Sequence, residues 1–407
     1  MKKLLIVMLF AFALVVTACT PPVDEENAQG VTATTVLVGN TAVTEGALAF
    51  VGVPFNEGLQ AYFKRYNDAG GVNGRTIEFI NRNDGFVAAQ GVAMTEQLIE
   101  DDKVFALVGH FGTPTVGSTL DMIREKGIPM VYAATGIADL YRQQATGNER
   151  GVFPVQPIYQ TEGQWIVSKA KELFPNATKI GIFYTDDEAG QNLLWGALTR
   201  ALQLRLTVVT QQTALSSGAI TPAAQVTAMK QAGVDVIIAA MNQAPFLTLA
   251  TELATQDVTK PVFTSYVSSN VTVTTFLKGA TGVVGNKFDV YAGAWVSVVG
   301  DNAANFEQFV ADMTAWGKPE LAANAYAMAG WIAGYFFVEG LSRVEGALTW
   351  GKFIDAMEAE EFKNPLGGII DYSGGKRWAT EEMALLKSDP TAALGWIEVI
   401  ALSGITG

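Results

Sequence analysis

Short apolar runs and amphipathic stretches alternate along residues 35–290. The run "TTVLVGN" at 34–40 is one of several that predict buried β-strands. After it, apolar residues recur at helical spacing from Phe55 to Phe63, and this predicted helix stops at Gly70. A strand followed by a helix and another strand forms a βαβ unit, so the pattern predicts parallel sheets covered by helices.

The alternation occurs twice, before and after the segment "GVFPVQP" at 151–157, which predicts two doubly wound α/β lobes. The stretch "ANAYAMAGWIAGYFFVEGLSRV" at 323–344 is apolar on most sides and contains Gly330 and Gly334. We interpret it as a buried core helix, with a membrane span as the alternative.

Five polar or glycine-containing segments directly follow predicted strands. Open parallel sheets bind ligands beyond the carboxyl ends of their strands, so we expect all five to line a cleft between the lobes. They are "GHFGTPT" (109–115), "YAATG" (132–136), "YTDDEAG" (184–190), "AMNQAP" (240–245) and "TSYVSSN" (264–270).

Composition excludes several classes of protein. Apolar residues make up 49% of the chain and charged residues 16%, which argues against disorder. The formal net charge of −13 disfavours nucleic acid and anionic lipid headgroups as partners. One cysteine and one histidine cannot form an internal disulfide or a His/Cys zinc cluster, and we expect no metal or cofactor.

Residues 1–19 have the three parts of an export signal: two lysines, an apolar run too short to span a bilayer, and small residues before Cys19. The ending "VTAC" resembles a bacterial lipobox, which implies lipidation of Cys19; an ordinary signal peptide is the alternative. Residues 20–34 are proline-rich and acidic, as expected of a solvated tether. We therefore expect an exported protein, lipid-anchored outside the membrane or in the periplasm.

The sequence offers little catalytic chemistry. His110 has no nucleophile or orienting acid at nearby positions, although residues from other loops remain candidates. The segment that follows it lacks the Gly-Lys-Ser/Thr ending of a phosphate-binding loop, and no G-x-S-x-G elbow is present. The acidic run 186–188 either holds a divalent cation or simply precedes a helix. We predict that the protein is not an enzyme.

Hydroxyls and backbone N–H groups dominate the five segments instead. Thr113, Thr135 and the backbone at Gly112 suit a carboxylate. A few polar groups within apolar walls are typical of a small-molecule binding site. Each aromatic candidate for these walls could equally pack in the core: Phe50, Phe86, Phe111, Tyr132, Trp165 and Tyr266.

Several segments resemble type I periplasmic-binding proteins of branched-chain amino acid ABC transporters. They are "NEGLQAYFKRYNDAGGVNGRTIEF" at 56–79, "RNDGFVAAQGVAMTEQLIEDDKVFALVGH" at 82–110, "GIPMVYAATGIADL" at 127–140 and "NPLGGIIDYSGGKRW" at 364–378. The resemblance implies that the chain crosses a hinge three times, near residues 155, 290 and 375. The implied lobes are 35–155 plus 290–375, and 156–289 plus 376–407.

The resemblance also implies a binding site. Thr113 would bind a ligand carboxylate. The Ala133 carbonyl would bind the α-amino group of an amino acid, and the Thr135 hydroxyl would also bind the ligand. His110 would be a scaffold residue. We expect Thr113 and Thr135 to lie on exposed loops. The complete set of predicted ligand-binding residues is Phe50, Phe111, Gly112, Thr113, Ala133, Thr135, Glu188, Asn242 and Tyr266.

Two departures leave the ligand open. Amino-acid binders of this family carry a glutamate after the strand that resembles "PVFTSYV", where this chain has Tyr266, and two of their tyrosines appear as Ala189 and Met241. A buried ammonium group without a countercharge costs several kcal/mol. Either Asp187 or Glu188 replaces the glutamate, or the ligand is a carboxylate without an ammonium group.

Together these features predict a solute-binding lipoprotein that delivers a hydrophobic amino acid or related small carboxylate to the permease subunits of an ABC importer. It would contact the membrane only through its lipid anchor and would not bind nucleic acid. The alternative is a ligand-sensing receptor or regulator of the same fold that binds an aromatic acid or amide.

Overall fold

The structure, a computed structural model, describes residues 26–214 and 221–405 and folds them into two α/β lobes. The predicted two-lobed α/β architecture is confirmed. The predicted signal peptide and Cys19 lie outside the described residues. Each lobe is built around one β-sheet, with helices packed against it.

The first lobe begins with strands β1 (Thr35–Ala42), β2 (Thr76–Asn83), β3 (Ala106–Val108), β4 (Met130–Val131) and β5 (Val152–Phe153). Between them lie helices α1 (Ala49–Asp68), α2 (Ala88–Glu100) and α3 (Thr113–Lys126). The strands form a fully parallel sheet in the order β2-β1-β3-β4-β5. Val36, Val38 and Leu107 are fully buried, as expected where helices cover both faces of a sheet.

The second lobe contains strands β6 (Lys179–Thr185), β7 (Thr207–Ala214), β8 (Val236–Ala240), β9 (Val262–Thr264) and β10 (Val290–Ala294). Its helices are α4 (Tyr159–Leu173), α5 (Glu188–Gln203), α6 (Ala223–Ala232), α7 (Gln243–Thr255) and α8 (Val271–Lys278). These five strands are parallel, in the order β10-β9-β8-β6-β7. The lobe therefore repeats the βαβ arrangement of the first.

After β10 the chain forms α9 (Ala303–Ala315), α10 (Ala325–Ser342) and α11 (Trp350–Ala359), then the short hairpin β11 (Phe362–Lys363) and β12 (Ile369–Ile370). Helix α10 packs closely on α1 of the first lobe: a Cβ on Gly330 would lie 1.8 Å from Phe55 O. Trp331 of α10 is buried, so α10 is a core helix. Within the described residues, no helix is long and apolar enough to cross a membrane.

The chain ends in strands β13 (Glu382–Ser388) and β14 (Trp396–Gly404). Strand β13 is antiparallel to both β10 and β14, and the complete order of the second sheet is β14-β13-β10-β9-β8-β6-β7. This antiparallel edge differs from the parallel sheets that we predicted. The connection at 389–395 is too short for the crossover that parallel neighbours require.

The chain passes between the lobes three times: after β5, after β10 and before β13. The second passage follows Ala294, because β10 pairs with β9 in the second sheet. Residues 290–294, which the sequence assigned to the first lobe, therefore belong to the second sheet. Thr380 N donates to Val155 O at 3.0 Å, so the first and third passages lie side by side.

Part of the predicted tether, residues 20–34, is held against the first lobe. The Gln29 carboxamide donates to Val104 O at 2.9 Å, and Ala28 N donates to Leu348 O at the same distance. The described part of this segment therefore differs from a solvated tether. Its polar composition did not reveal that backbone acceptors were available on the lobe.

Candidate functional site

A cavity between the lobes brings together residues that follow strands of both sheets, and we call it the cleft cavity. Its empty volume, including the open solvent at its mouth, is about 1040 Å³. Its small and aliphatic lining residues are Leu48, Val51, Gly112, Ala134, Ala244, Pro245, Val267, Val296, Ala325 and Ala329.

Nine aromatic residues also line the cleft cavity, and several of their rings hold one another in place. The Phe55 ring packs against Phe111 and Tyr132, with centroids 5.1 and 5.7 Å apart. Tyr159 stacks on Tyr266 at 5.7 Å. Rings fixed in this way form an apolar wall before any ligand arrives. The nine are Phe50, Phe55, Phe86, Phe111, Tyr132, Tyr159, Tyr266, Trp295 and Tyr326.

Among the described residues, none that lines the cleft cavity is acidic or basic. Apart from the tyrosine hydroxyls, its polar side chains are those of Thr113, Gln156, Asn242, Gln243 and Ser269. A ligand in this cavity therefore meets hydrogen-bonding groups but no side chain with a formal charge.

Helix α3 begins at the edge of the cleft cavity. Its N-cap residue, Gly112, has a φ of +96°, and a Cβ there would lie 2.6 Å from the Phe86 ring, so this position requires glycine. The N–H of Thr113 is the first of the helix and has no intrahelical acceptor. Thr113 Oγ1 lies 2.7 Å from Thr135 Oγ1. An unfilled helix N-terminus with a hydroxyl beside it suits an anionic group.

Tyr159, at the start of α4, contributes a hydroxyl beside this terminus. Burial, and then the charge of Glu162, raises the pKa of Tyr159 to about 12. Hydrogen bonds with Thr135, Thr113 and Tyr266 lower it. The phenol therefore stays protonated at neutral pH and remains a hydrogen-bond donor.

His110 lies beneath the start of α3 and is fully buried. Its Nε2 is 3.0 Å from Thr119 Oγ1, and its Nδ1 is 3.4 Å from Thr41 Oγ1. Burial lowers the pKa of His110 to about 3, so the ring is neutral. Because it does not line the cleft cavity, His110 has the geometry of a scaffold residue that joins β1, β3 and α3.

The polar groups of Tyr132, Gln156 and Tyr266 bond to one another. Tyr132 OH donates to Gln156 Oε1 at 2.9 Å, and Gln156 Nε2 donates to Tyr266 OH at 2.8 Å. Tyr266 OH in turn donates to Pro157 O at 3.1 Å. Because these hydroxyls bond to protein acceptors, Tyr132 and Tyr266 present mainly ring surface to a ligand.

A second helix N-terminus meets the cleft cavity from the other lobe. Asn242 is the N-cap of α7 but forms no side-chain cap, and it lines the cavity together with Gln243 and Ala244. Gln243 is only 4% exposed, and one end of its carboxamide lies 3.1 Å from Tyr326 OH, which also lies 3.0 Å from Val267 O. Sequence reasoning missed Gln243, although its place at the start of a helix in the segment "AMNQAP" was a usable signal.

Six of the nine predicted ligand-binding residues line the cleft cavity: Phe50, Phe111, Gly112, Thr113, Asn242 and Tyr266. The other three do not: Ala133, Thr135 and Glu188.

The chain turns at Tyr132, whose φ is +57°, so that Ala134 rather than Ala133 faces the cavity. The Ala133 carbonyl already accepts from Thr135 N at 2.9 Å. Thr135 is fully buried behind Thr113, which is itself 6% exposed. The expectation that both threonines lie on exposed loops is therefore wrong.

Glu188 lies at a contact between the lobes rather than in the cleft cavity. Its Oε2 is 2.8 Å from where a Cβ on Gly117 of α3 would be. Burial, followed by the charges of Asp139 and Asp187, raises the pKa of Glu188. Its carboxylate is therefore not placed to pair with a ligand in the cavity.

The rest of the acidic run forms the start of α5. Asp187 Oδ1 accepts from Gly190 N at 2.8 Å and caps the helix, and Asp186 Oδ1 accepts from Gln191 Nε2 at 2.7 Å. Across residues 26–214 and 221–405, no three His, Cys, Asp or Glu side chains are grouped to hold a metal ion. The geometry matches the simpler reading, an acidic helix start.

One fully buried acid, Glu162, lies behind the wall formed by Tyr266. Its two oxygens accept from Tyr266 N at 2.7 Å and from Ser265 Oγ at 2.8 Å. Burial raises the pKa of Glu162 to about 8, although these two hydrogen bonds lower it. Glu162 does not line the cleft cavity, and its carboxyl is largely protonated at neutral pH.

Comparison with known proteins relates the chain to solute-binding proteins. Residues 35–393 match the family model described as periplasmic binding protein. An amino acid binding protein from Pseudomonas aeruginosa is 26% identical over 166 residues, covering 39% of this chain and 41% of that protein. Leu/Ile/Val-binding protein homolog 1 from Brucella abortus is 25% identical over 210 residues, covering 50% and 53%. The matches thus span about half the length of these curated relatives.

A similar fold occurs in a fatty acid ABC transporter substrate-binding protein from Thermomonospora curvata. The two structures superpose with a TM-score of 0.80 over 93% of this chain and 95% of that one, at 19% sequence identity. At this identity the likeness concerns the fold and not the ligand.

Proposed function

Because the chain belongs to the periplasmic binding protein family, we propose that it is an extracytoplasmic solute-binding lipoprotein of an ABC importer and not an enzyme. It binds a hydrophobic amino acid or a related small carboxylate in the cleft cavity and delivers it to the permease subunits. The observation that carries this proposal is the cavity lined by aromatic rings between the lobes, with a helix N-terminus from each lobe at its edge.

Contacts across the cleft support a mechanism in which the ligand closes the lobes. Tyr326 OH lies 3.0 Å from Val267 O, and Ala138 N donates to Asn192 Oδ1 at 3.0 Å. Each contact joins one lobe to the other, so each is lost when the lobes separate. A ligand that touches both walls stabilises the closed form, and the permease recognises that form.

The membrane anchor in this proposal is a lipid on Cys19, which rests on the export signal and the lipobox-like ending. Mass spectrometry of the membrane fraction tests it directly. We expect a diacylglyceryl modification at the N-terminal cysteine of the mature chain. An unmodified, fully secreted protein would contradict the anchor but not the binding function.

Calorimetric titration of the mature chain with amino acids, aromatic and aliphatic acids, and amides tests the binding function. We expect one saturable site and recovery of the ligand unchanged. Gly117→Trp should weaken that binding at least about tenfold, because the indole would separate α3 from Glu188. Gly351→Trp is the matched control, since a Cβ there meets no atom within 4 Å. No saturable site, or chemical turnover of the ligand, would contradict the proposal.

A further inference from the structure

We infer that the ligand of the cleft cavity is an apolar carboxylic acid that has no ammonium group. This inference rests on the proposed binding function and narrows its ligand class. An α-amino acid carries an ammonium group that must meet an anion or several strong acceptors when it leaves water. The first question is therefore whether any acid is placed to meet it.

No acid lines the cleft cavity, and the neighbouring acids have other partners. Glu162 accepts from Tyr266 N and Ser265 Oγ and does not line the cavity. Asp187 caps α5, and Glu188 faces Gly117 at a separate contact between the lobes. The two replacements that the sequence suggested for the missing glutamate are therefore both absent from the cavity wall.

The cavity instead carries features that attract an anion. Neither α3 nor α7 has a side-chain cap, and both have an early proline, which lacks an N–H. The first backbone donors, at Thr113 in one lobe and at Gln243 and Ala244 in the other, have no intrahelical acceptors. Both helix dipoles thus direct positive potential into a cavity with no acidic side chain.

The buried side chain of Gln243 is an independent indication that the cavity binds a polar group of a ligand. One end of its carboxamide bonds to Tyr326 OH at 3.1 Å, and the other end forms no hydrogen bond within the described part of the chain. The side chain lines the cavity and is more than nine-tenths buried. A carboxamide held in this way offers the ligand a hydrogen bond but no countercharge, so it does not neutralise an ammonium group.

The rest of the cavity wall is suited to the apolar part of the ligand. Tyr132 and Tyr266 direct their hydroxyls to Gln156 and Pro157, which leaves ring surface toward the ligand. Aromatic rings and small or aliphatic side chains make up most of the rest of its lining. A carboxylate at the helix termini with an apolar body against the rings satisfies both parts of the site.

Two pairs of probes isolate the ammonium group: 3-phenylpropionate against phenylalanine, and 4-methylpentanoate against leucine. Each pair shares its carbon skeleton. In calorimetric titrations of the mature chain at pH 7, we expect at least one acid to bind at least about 100-fold more tightly than its amino acid. The amide 3-phenylpropanamide measures the contribution of the negative charge and should bind more weakly than 3-phenylpropionate.

A variant that adds a negative charge at the start of α7 tests whether the ligand carboxylate binds there. Gln243→Glu should weaken binding of the preferred acid at least about tenfold, because it places a second carboxylate at the site. Gln231→Glu adds the same charge on the exposed face of α6 and should leave affinity unchanged. Thermal melts of both variants check folding, and glutamate at the first position of a helix is favourable.

The outcomes separate this inference from the proposed function. An amino acid that binds as tightly as its acid, or more tightly, would overturn the inference and leave the solute-binding function intact. Failure of both acids to bind would also overturn the inference. Failure of the whole panel of amino acids, acids and amides would overturn the binding function itself.

Discussion

The two helix N-termini at the cleft cavity differ in how they are held. The α3 terminus is fixed within one lobe by the buried contact of Thr113 with Thr135 and by His110 beneath it. The α7 terminus offers Gln243, whose carboxamide bonds across the cleft to Tyr326 of the other lobe. One end of the site is thus preformed, and the other is completed only when the lobes meet. We expect a ligand to bind the first lobe and then to draw in the second.

Removing the Phe55 ring, which supports the α3 end of the cavity, should have the largest effect, and this effect is on the free energy of unfolding. Phe55 is 1% exposed and packs against Phe111 and Tyr132. Phe55→Ala should lower the free energy of unfolding by about 3–5 kcal/mol, because it leaves a cavity in the core. Phe276→Ala, at an exposed site, should change it by less than about 1 kcal/mol. Urea denaturation measures both, and equal effects would show that Phe55 is not a support.

The preformed end should also provide most of the polar binding energy. Thr113→Val keeps the shape of the side chain but removes its hydroxyl, so binding should weaken by about 1.5–3 kcal/mol if the ligand is charged. Thr248→Val, on the exposed face of α7, is the control. Calorimetry measures the affinities; wild-type affinity in Thr113→Val would show that the Thr113 hydroxyl does not contact the ligand.

In the second lobe, Glu162 should make stability fall as pH rises, whereas His110 of the first lobe, whose pKa burial lowers to about 3, should make stability rise with pH up to about 6.5. The pKa of Glu162 is raised by burial to about 8 in the folded protein, above its ordinary value of 4.5. Between these values the folded state holds a proton that the unfolded state releases, so stability should fall as pH rises. The slope is at most about 1.4 kcal/mol per pH unit from this group.

Glu162→Gln should remove that slope between about pH 5 and pH 8. Unfolding measured at several pH values tests the difference from wild type. Identical slopes in the two proteins would mean that the Glu162 carboxyl ionises as freely when folded as when unfolded.

The smallest effect should come from the contact that completes the site. Tyr326→Phe removes the hydroxyl that meets Gln243 and Val267, and affinity should fall by about 0.5–1.5 kcal/mol. The loss should appear mainly as faster dissociation, since closure follows encounter. Tyr184→Phe, on β6, is the control. Stopped-flow kinetics that show slower association instead would contradict this order of events.

Periodicity predicted the βαβ order because strand and helix patterns depend on local spacing. It also predicted the cavity edge at Gly112 and Thr113, since loops after parallel strands converge. It could not distinguish Ala133 from Ala134, because the positive φ at Tyr132 leaves no signal in an apolar run. Nor could it find Gln243, whose importance depends on Tyr326 from a distant helix.

The identity of the ligand that the protein carries when purified without unfolding tests the central claim most directly. Native mass spectrometry gives the mass of the complex, and extraction followed by an amine-specific label gives the class of the ligand. We predict one small molecule per chain that bears a carboxyl group and does not react with the amine label. A bound primary amine, such as leucine or valine, would contradict the account.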